Sequence, residues 1–277
     1  MRFPRRIAAA TAILAAAALL PLPAQAGNVP TAVAPAAGVA DYNVKACGTN
    51  WVDIHIPNTS YFNVYNDDFG RQTCVTAERN HLDFQVTSVG KATGFKSYPN
   101  ISSGWESNRY TCTGRTGACY TYPVQVSHDG NPVTSIAGWL APGRYDFNYD
   151  IWTNRTDAHP LNDNGTEVMI WLAHPGVPEA VDRVVKIDGI EWDVTTWITH
   201  HPGQPSWRLL IYYAVKQRSS ASGLHLNDFF HEAEAHGEMS ASYYLTGIDA
   251  GFELVQGGLH DNIHSYSLTG LPKTTPK

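Results

Sequence analysis

The sequence predicts an all-β protein, an antiparallel β-sandwich of the jelly-roll type, from three observations. The 277 residues are only 16% charged and include 8 Trp, 14 Tyr, 9 Phe and 23 Gly. Pleated sheets favour aromatic and β-branched side chains, and hairpins need Gly. Short segments of alternating polarity recur along the chain. Turn-forming clusters separate these segments at residues 66–70, 127–132, 141–143, 157–165 and 200–205, a spacing typical of sandwiches and jelly rolls.

The N-terminal segment is expected to lie outside that fold. Residues 1–26 have a basic start, an apolar run and an Ala-Gln-Ala cleavage pattern, which together predict a secretory signal peptide. The alternative is a membrane anchor, but the run is short of the ~20 apolar residues that span a bilayer and contains two prolines. Residues 27–41 form an Ala/Pro-rich spacer. Residues 42–277 are expected to form a single domain of a secreted, extracellular protein.

Charge and cysteine content limit the partners that the protein can have. The net charge is −6, and removal of the basic leader makes it more negative, which argues against nucleic acid and anionic membranes. A neutral substrate fits better. We expect a monomer without cofactor or metal, free of the membrane after signal cleavage.

The four cysteines all lie in the exported part, and an even number in an oxidising compartment predicts two disulfides. Of three possible connectivities, we prefer the one that joins near neighbours in sequence, Cys47 with Cys74 and Cys112 with Cys119. The alternative is a metal site, although the sequence contains no CxxC spacing, so this alternative is disfavoured.

One segment departs from the strand pattern. Asn227 or Asp228 is expected to cap the start of a helix there, and Gly237 to end it. The segment predicts one short amphipathic helix packed on the outside of a sheet. Apolar residues occur in it at helical spacing, namely Leu226, Phe229, Phe230 and Ala233.

Three predicted strands place carboxyl groups beside aromatic rings on the face away from the core, because side chains in a strand alternate between faces. In residues 165–172 that face carries Glu167, Met169 and Trp171. In residues 144–152 it carries Asp146, Asn148, Asp150 and Trp152, and in residues 250–255 it carries Gly251, Glu253 and Val255.

If the three strands share a sheet, Asp150, Glu167 and Glu253 converge. Paired carboxyls are the minimal apparatus for cleaving a glycosidic bond, since one protonates the leaving oxygen while the other attacks or activates water. The alternative interpretation is a set of ordinary solvated acids on a strand surface.

At these segments the sequence resembles glycoside hydrolase family 12, the jelly-roll endoglucanases and xyloglucan hydrolases. The resemblance extends from about Cys47 to Leu268. It implies a long substrate cleft on the concave sheet and retaining hydrolysis of internal β-1,4-glucosidic bonds in a plant glucan, whether cellulose, mixed-linkage glucan or xyloglucan. The strongest matches are YDIW (149–152), TEVMIW (166–171) and YLTGIDAGFE (244–253), with weaker ones at SYP (97–99), residues 187–194 and Asp228-Phe229.

The resemblance also implies roles for individual residues. Glu167 takes the position of the nucleophile and Glu253 that of the acid/base, at the ~5–5.5 Å separation of carboxyls in retaining enzymes. Asp150 takes the position of the acid that hydrogen-bonds the nucleophile, and Met169 lies beneath the cleaved sugar. The remaining residues expected to bind substrate are Asn66, Phe69, Trp152 and Trp171.

The sequence also departs from the family pattern. The NNxWG sugar-stacking motif of the family reads Asn66-Asp67-Asp68-Phe69-Gly70 here, and Val255 and the run 258–261 differ from the family after the acid/base. These differences bear on glucan preference. A non-catalytic carbohydrate-binding jelly roll remains the alternative, which would use the aromatic rings without the acid pair.

Overall fold

The computed structural model describes residues 44–91, 94–106, 109–157, 165–176, 180–200 and 206–274. The predicted signal peptide and spacer lie outside the described residues. The helical elements are a short 3-10 helix (Val126–His128) and the α-helix α1 (Leu226–Ala235).

The remaining regular elements are strands. In chain order they are β1 (Val44–Cys47), β2 (Trp51–Ile56), β3 (Ser60–Tyr65), β4 (Thr73–Ala77), β5 (Phe84–Val89), β6 (Asn100–Glu106), β7 (Arg109–Tyr110), β8 (Cys119–Tyr120), β9 (Val124–Gln125), β10 (Val133–Trp139), β11 (Gly143–Asn154), β12 (Thr166–Ala173), β13 (Arg183–Ile187), β14 (Ile190–Thr199), β15 (Trp207–Ala214), β16 (Ser220–His225), β17 (Tyr244–Gly257), β18 (Asn262–Thr269) and β19 (Lys273–Thr274).

Two large sheets contain most of these strands. The larger has 11 strands in the order β13-β14-β15-β12-β11-β17-β6-β3-β2, with β7 beside β6 and β9 beside β17. The smaller has six, in the order β1-β4-β5-β18-β10-β16, and β8 pairs with β19 separately. The predicted all-β sandwich is confirmed.

One strand pair departs from the expected antiparallel arrangement. The chain leaves β12, forms the hairpin β13–β14 and returns as β15 in the same direction as β12, so β12 and β15 pair in parallel. Glu167 lies opposite Leu209 in this pair. The parallel pair brings the start of β15 beside the start of β12.

The core lies on the predicted faces of the central strands. Phe147 of β11 and Phe252 of β17 are fully buried and stack with ring centroids 4.9 Å apart. Val168, Ile170 and Leu172 of β12 are also fully buried in the same cluster. Alternation along β11, β12 and β17 therefore directs their other side chains to the opposite face of the larger sheet.

The predicted helix forms, but it packs against the core side of the larger sheet and not, as expected, on the outside of a sheet. The ring of Phe229 contacts Trp192 of β14 and Tyr212 of β15 edge-on, at centroid distances of 5.4 and 5.0 Å. Gly237, with φ +68°, follows the helix, as expected for a residue that must adopt the left-handed conformation. The predicted start is wrong, because His225 is the N-cap and makes no side-chain capping bond.

Disulfides join Cys47 to Cys74 and Cys112 to Cys119, the connectivity that the sequence favoured. Cys47 and Cys74 are direct neighbours across the β1–β4 pair. Among the described residues, no helix combines the length and the apolar character needed to cross a membrane.

Candidate active site

The candidate site lies on the face of the larger sheet that points away from the core, which we call the acidic face. Strands β12, β11 and β17 are neighbours in this sheet, so the three predicted strands do share it. On β11, β12 and β17, the carboxyl groups that alternation and register place on this face are those of Asp146, Asp150, Glu167, Asp249 and Glu253. Each of these residues is at most 5% exposed.

Glu167, on β12, lies opposite Trp152 of β11 and is 4% exposed. Its Oε2 accepts a hydrogen bond of 2.5 Å from the indole Nε1 of Trp207. Burial raises the pKa of Glu167 to about 8, against the lowering effect of the Trp207 bond and with a further increase from the charge of Glu253. The carboxyls of Glu167 and Glu253 therefore interact across β11.

Glu253, on β17, has a different environment. It lies opposite Asp146 of β11, and burial, together with the charge and hydrogen bond of Asp146, raises the pKa of Glu253 well above its usual range. Asn148 Nδ2 donates to Asp146 Oδ1, and Tyr98 Oη donates to Asn148 Oδ1 at 2.8 Å. This network holds Asp146 in place beside Glu253.

The contrast between the two glutamates bears on their protonation. Glu167 receives an N–H bond, which stabilises the charged form, whereas Glu253 faces a second carboxyl, which disfavours it. Burial raises the pKa of Asp146 to about 7, although the hydrogen bond between Asp146 and Glu253 favours ionised Asp146. As pH rises, this arrangement favours ionisation of Glu167 before that of Glu253.

Asp150 lies between the two glutamates in the register, opposite Met169 of β12 and Asp249 of β17. Burial and the charges of Glu167 and Glu253 raise the pKa of Asp150 well above its usual range. Among the residues that the structure describes, the hydrogen bond to Glu167 comes from Trp207 and not from Asp150, so the expected bond from Asp150 is absent.

Asp249 is a further acid that sequence reasoning did not single out. It is fully buried on β17, directly across from Asp150 and from Ser102 of β6. Burial, then the neighbouring Glu106 and Asp150, raise the pKa of Asp249 well above its usual range. A proton on Asp249 would remove the repulsion between its charge and that of Asp150.

Gly251 separates Asp249 from Glu253 on the acidic face. A Cβ atom added there would lie 2.1 Å from the backbone oxygen of Pro99. Glycine is therefore required at this position for β17 to approach the segment that precedes β6. Tyr98, which donates to Asn148, lies in that segment.

The predicted aromatic and thioether residues occupy the acidic face with little exposure. Trp152 and Trp171 are each 8% exposed, and Met169 is 3% exposed. Met169 and Trp171 pack with Leu209, Ile211 and Tyr213 in a cluster separate from the main core. The Trp171 and Tyr213 rings meet edge-on at 5.0 Å.

The loop that follows β3 carries the two other residues expected to bind sugar. Phe69 is half-buried and contacts Phe95 at a centroid distance of 4.9 Å. Asn66 is fully buried, and its Nδ2 donates to the backbone oxygens of Gly48 and Thr73 at 2.8 and 3.0 Å. The expected sugar contact of Asn66 does not fit this position, because the amide fixes the loop.

Sequence reasoning missed three residues of the site: Asp146, Trp207 and Asp249. Alternation had placed Asp146 on the correct face without a signal that distinguished it from a solvated acid. Asp249 lies in the matched segment YLTGIDAGFE, two positions from Gly251 on the same face. Trp207 carried no signal, because its contact with Glu167 depends on the parallel pair.

One group of side chains in the described part of the chain has the spacing of metal ligands. Ligand atoms of Asp188, His225 and Asp228 lie within 4.8 Å of one another. His225 Nδ1 lies 3.0 Å from Asp188 Oδ1, which accounts for the pair without an ion. These residues surround the start of α1 and belong to a different part of the molecule from the acidic face.

Comparison with known proteins gives a consistent result. A xyloglucan-specific endo-β-1,4-glucanase from Aspergillus niger is 26% identical over 207 residues, which cover 71% of this chain and 79% of that protein. An endoglucanase from Rhodothermus marinus is 25% identical with a TM-score of 0.65, covering 84% of this chain and all of that structure. A family 12 xyloglucanase from Bacillus licheniformis shares the fold at 21% identity, with a TM-score of 0.68 and coverage of 82% and 99%. The sequence profile of glycosyl hydrolase family 12 matches residues 73–269, and the chain belongs to this family.

Proposed function

We propose that the protein is a secreted, retaining endo-β-1,4-glucanase that acts on a plant glucan. The observation that carries the proposal is the pair of buried glutamates on β12 and β17, on one face of the sheet and in opposite environments. Glu167 receives an indole N–H bond, and Glu253 faces Asp146. A carbohydrate-binding protein does not need two such acids, so we favour an enzyme over the binding module.

In the first step, the ionised Glu167 carboxylate attacks the anomeric carbon while protonated Glu253 donates its proton to the glycosidic oxygen. The leaving glucan departs as an alcohol, and a glycosyl-enzyme ester forms on Glu167. In the second step, Glu253 takes a proton from water, and the water oxygen displaces Glu167 from the anomeric carbon. The surroundings of the two glutamates favour ionisation of Glu167 before Glu253, which is the order that these starting states require.

The other residues of the site either support the two glutamates or contact the sugar. Asp150 lies close enough to Glu167 and Glu253 to respond to their charges, and we assign it a supporting role to the nucleophile. Met169, next to it, provides an apolar surface beneath the cleaved sugar. Phe69, Trp152 and Trp171 supply ring surfaces on which apolar sugar faces stack.

The substrate class follows from the family and the charge. Relatives named as endoglucanases and xyloglucan-specific endoglucanases act on β-1,4-glucans, and the acidic face suits an uncharged polysaccharide. Release of reducing ends from cellulose, mixed-linkage glucan and xyloglucan, measured in parallel, distinguishes the three. N-terminal sequencing of the protein from the culture medium tests secretion, with residue 27 expected first.

Substitution of the two glutamates tests the catalytic assignment. Glu167→Gln and Glu253→Gln should each fold normally and lose at least about a thousandfold in glucan hydrolysis, because each removes a reacting group. On an aryl cellobioside with a good leaving group, Glu253→Gln should still form the glycosyl-enzyme and be rescued by azide. Glu167→Gln should form no covalent intermediate.

Glu234→Gln, on α1 away from the acidic face, is the matched control and should keep full activity. The anomeric configuration of the first product, followed by NMR, reports the stereochemistry directly. Substantial turnover by Glu167→Gln, or a product of inverted configuration, would contradict the proposal and favour the binding-module alternative.

A further inference from the structure

Trp207 is the first residue of β15 and is 4% exposed. Alternation places it on the acidic face with Leu209 and Ile211. The parallel register sets Arg208 opposite Thr166, so Trp207 lies next to the start of β12. Its indole Nε1 reaches Glu167 Oε2 at 2.5 Å.

Two sets of contacts fix the Trp207 side chain and backbone. The ring packs against Trp152 at a centroid distance of 6.0 Å, and Trp152 is itself the register partner of Glu167. The backbone oxygen of Trp207 accepts a hydrogen bond of 3.0 Å from Thr199 Oγ1. The backbone nitrogen of Trp207 donates to the Oγ1 of Thr199 at 3.4 Å. The donor is therefore held in position before substrate arrives.

We propose that Trp207 is the positioning residue of the nucleophile: its indole N–H holds the Glu167 carboxylate in one orientation and favours the ionised form. The inference rests on the proposed function, in which Glu167 is the nucleophile. An indole N–H only donates, so the bond is strongest when Glu167 is charged.

Among the described residues, no second side chain donates a hydrogen bond to the Glu167 carboxyl. The titratable groups that face Glu167 are Asp150 on β11 and Glu253 on β17, and a negative charge on either one opposes ionisation of Glu167. Loss of the indole N–H would leave the carboxyl with these unfavourable neighbours. The pKa of Glu167 would then rise further.

The test replaces Trp207 with Phe, which keeps a ring against Trp152 and removes the N–H. For an aryl cellobioside, the acid limb of kcat/KM against pH reports ionisation of the nucleophile in the free enzyme. The limb should move to higher pH by about one unit, the shift expected from one charge-assisted hydrogen bond. At a pH below the limb, kcat/KM should fall about tenfold, with a larger change in kcat than in KM.

Trp197→Phe is the matched control. Trp197 packs against the same cluster of the acidic face, and its buried Nε1 has no hydrogen-bond partner among the described residues. The control should leave the acid limb where it is in the unaltered protein. An unmoved limb in Trp207→Phe, or an equal shift in both variants, would overturn the inference.

A measurement on the unaltered protein covers the case in which Trp207→Phe does not fold. In the 15N-labelled protein, one indole N–H resonance should titrate with the acid limb, and this resonance should stop titrating in Glu167→Gln. Absence of such a resonance would overturn the inference. Because Glu167→Gln separately tests the nucleophile, failure of the Trp207 inference with an inactive Glu167→Gln leaves the proposed function intact.

Discussion

The rings expected to bind sugar differ in how much of each is packed against the rest of the protein. Trp171 contacts Tyr213 and the small apolar cluster around Met169, whereas Phe69 is half-buried in a loop against Phe95. Asp68, next to Phe69, pairs with Ser97, and Ser97 pairs with Leu254 beside Glu253. The loop therefore places Phe69 near Glu253.

Alanine substitution should separate the two roles. Phe69→Ala should weaken binding of a glucan oligosaccharide by about 0.5–1.5 kcal/mol, the worth of one ring contact, with little change in melting temperature. Trp171→Ala should cost about 3–5 kcal/mol of unfolding free energy, because the ring is largely buried. Calorimetry and thermal denaturation of both variants measure the two quantities. Equal losses of stability would show that Phe69 is also a packing residue.

Strand alternation was sufficient to predict the face of Asp150, Glu167 and Glu253, because it depends only on a period of two residues. The hydrogen-bond partner of Glu167 was not predictable by that rule. Trp207 reaches Glu167 through pairing between strands that are distant in sequence. The two-residue period of a strand does not show which strands pair or how their residues align. The same limit applies to Asn66, whose buried amide bonds the backbone of two other segments.

At the scale of elements, α1 is joined to the sheet by its buried face and by an ion-pair network. Arg183 of β13 donates to Glu232 within the helix and to Glu238 just beyond it, with its closest contacts at 2.6 Å. Tyr212 Oη donates to Glu232 at 2.5 Å, and the Arg183 guanidinium holds the pKa of Glu232 below its usual value despite burial. Helical spacing predicted the buried face of α1.

The capping residue was not predictable from composition. Asn227, an expected cap, instead donates its amide to Asp129 at 3.1 Å. The helix begins one residue earlier, after His225, whose backbone nitrogen donates to Asp188 at 2.8 Å. These tertiary contacts outweigh the local preference for Asn or Asp at the start of a helix.

Phe229→Ala should lower the free energy of unfolding by about 3–5 kcal/mol, because it removes a fully buried ring between Trp192 and Tyr212. His231→Ala, on the exposed side of the same helix, is the control and should change stability by no more than about 0.5 kcal/mol. Denaturant unfolding of both variants gives the comparison. Similar values for the two would mean that the helix is not held by its buried face.

For the whole molecule, the buried acids make stability depend on pH in a defined direction. Burial raises the pKa values of Asp146, Glu167 and Asp261 to about 7, 8 and 8. The folded protein therefore keeps protons that the unfolded chain loses near pH 4. Between about pH 4 and 8 the folded state binds more protons, so the free energy of unfolding falls as pH rises.

The melting temperature should accordingly be higher at pH 5 than at pH 8, by roughly 5 °C or more, since each kcal/mol shifts it by about 2–4 °C at this size. Asp249→Asn removes one of the buried acids and should reduce the difference. A series of thermal scans at fixed ionic strength measures both effects. A melting temperature that rises from pH 5 to 8 would contradict the assigned protonation states.

The parallel pair of β12 and β15 has a kinetic consequence. Glu167 and Trp207 are 40 residues apart in sequence, so pairing of β12 with β15 closes a long loop that contains the hairpin β13–β14. Pairing over such separations is slow compared with hairpin formation. During refolding from denaturant, recovery of hydrolytic activity should lag behind recovery of the β-sheet signal in circular dichroism, because Glu167 gains its indole partner only after β15 has paired with β12.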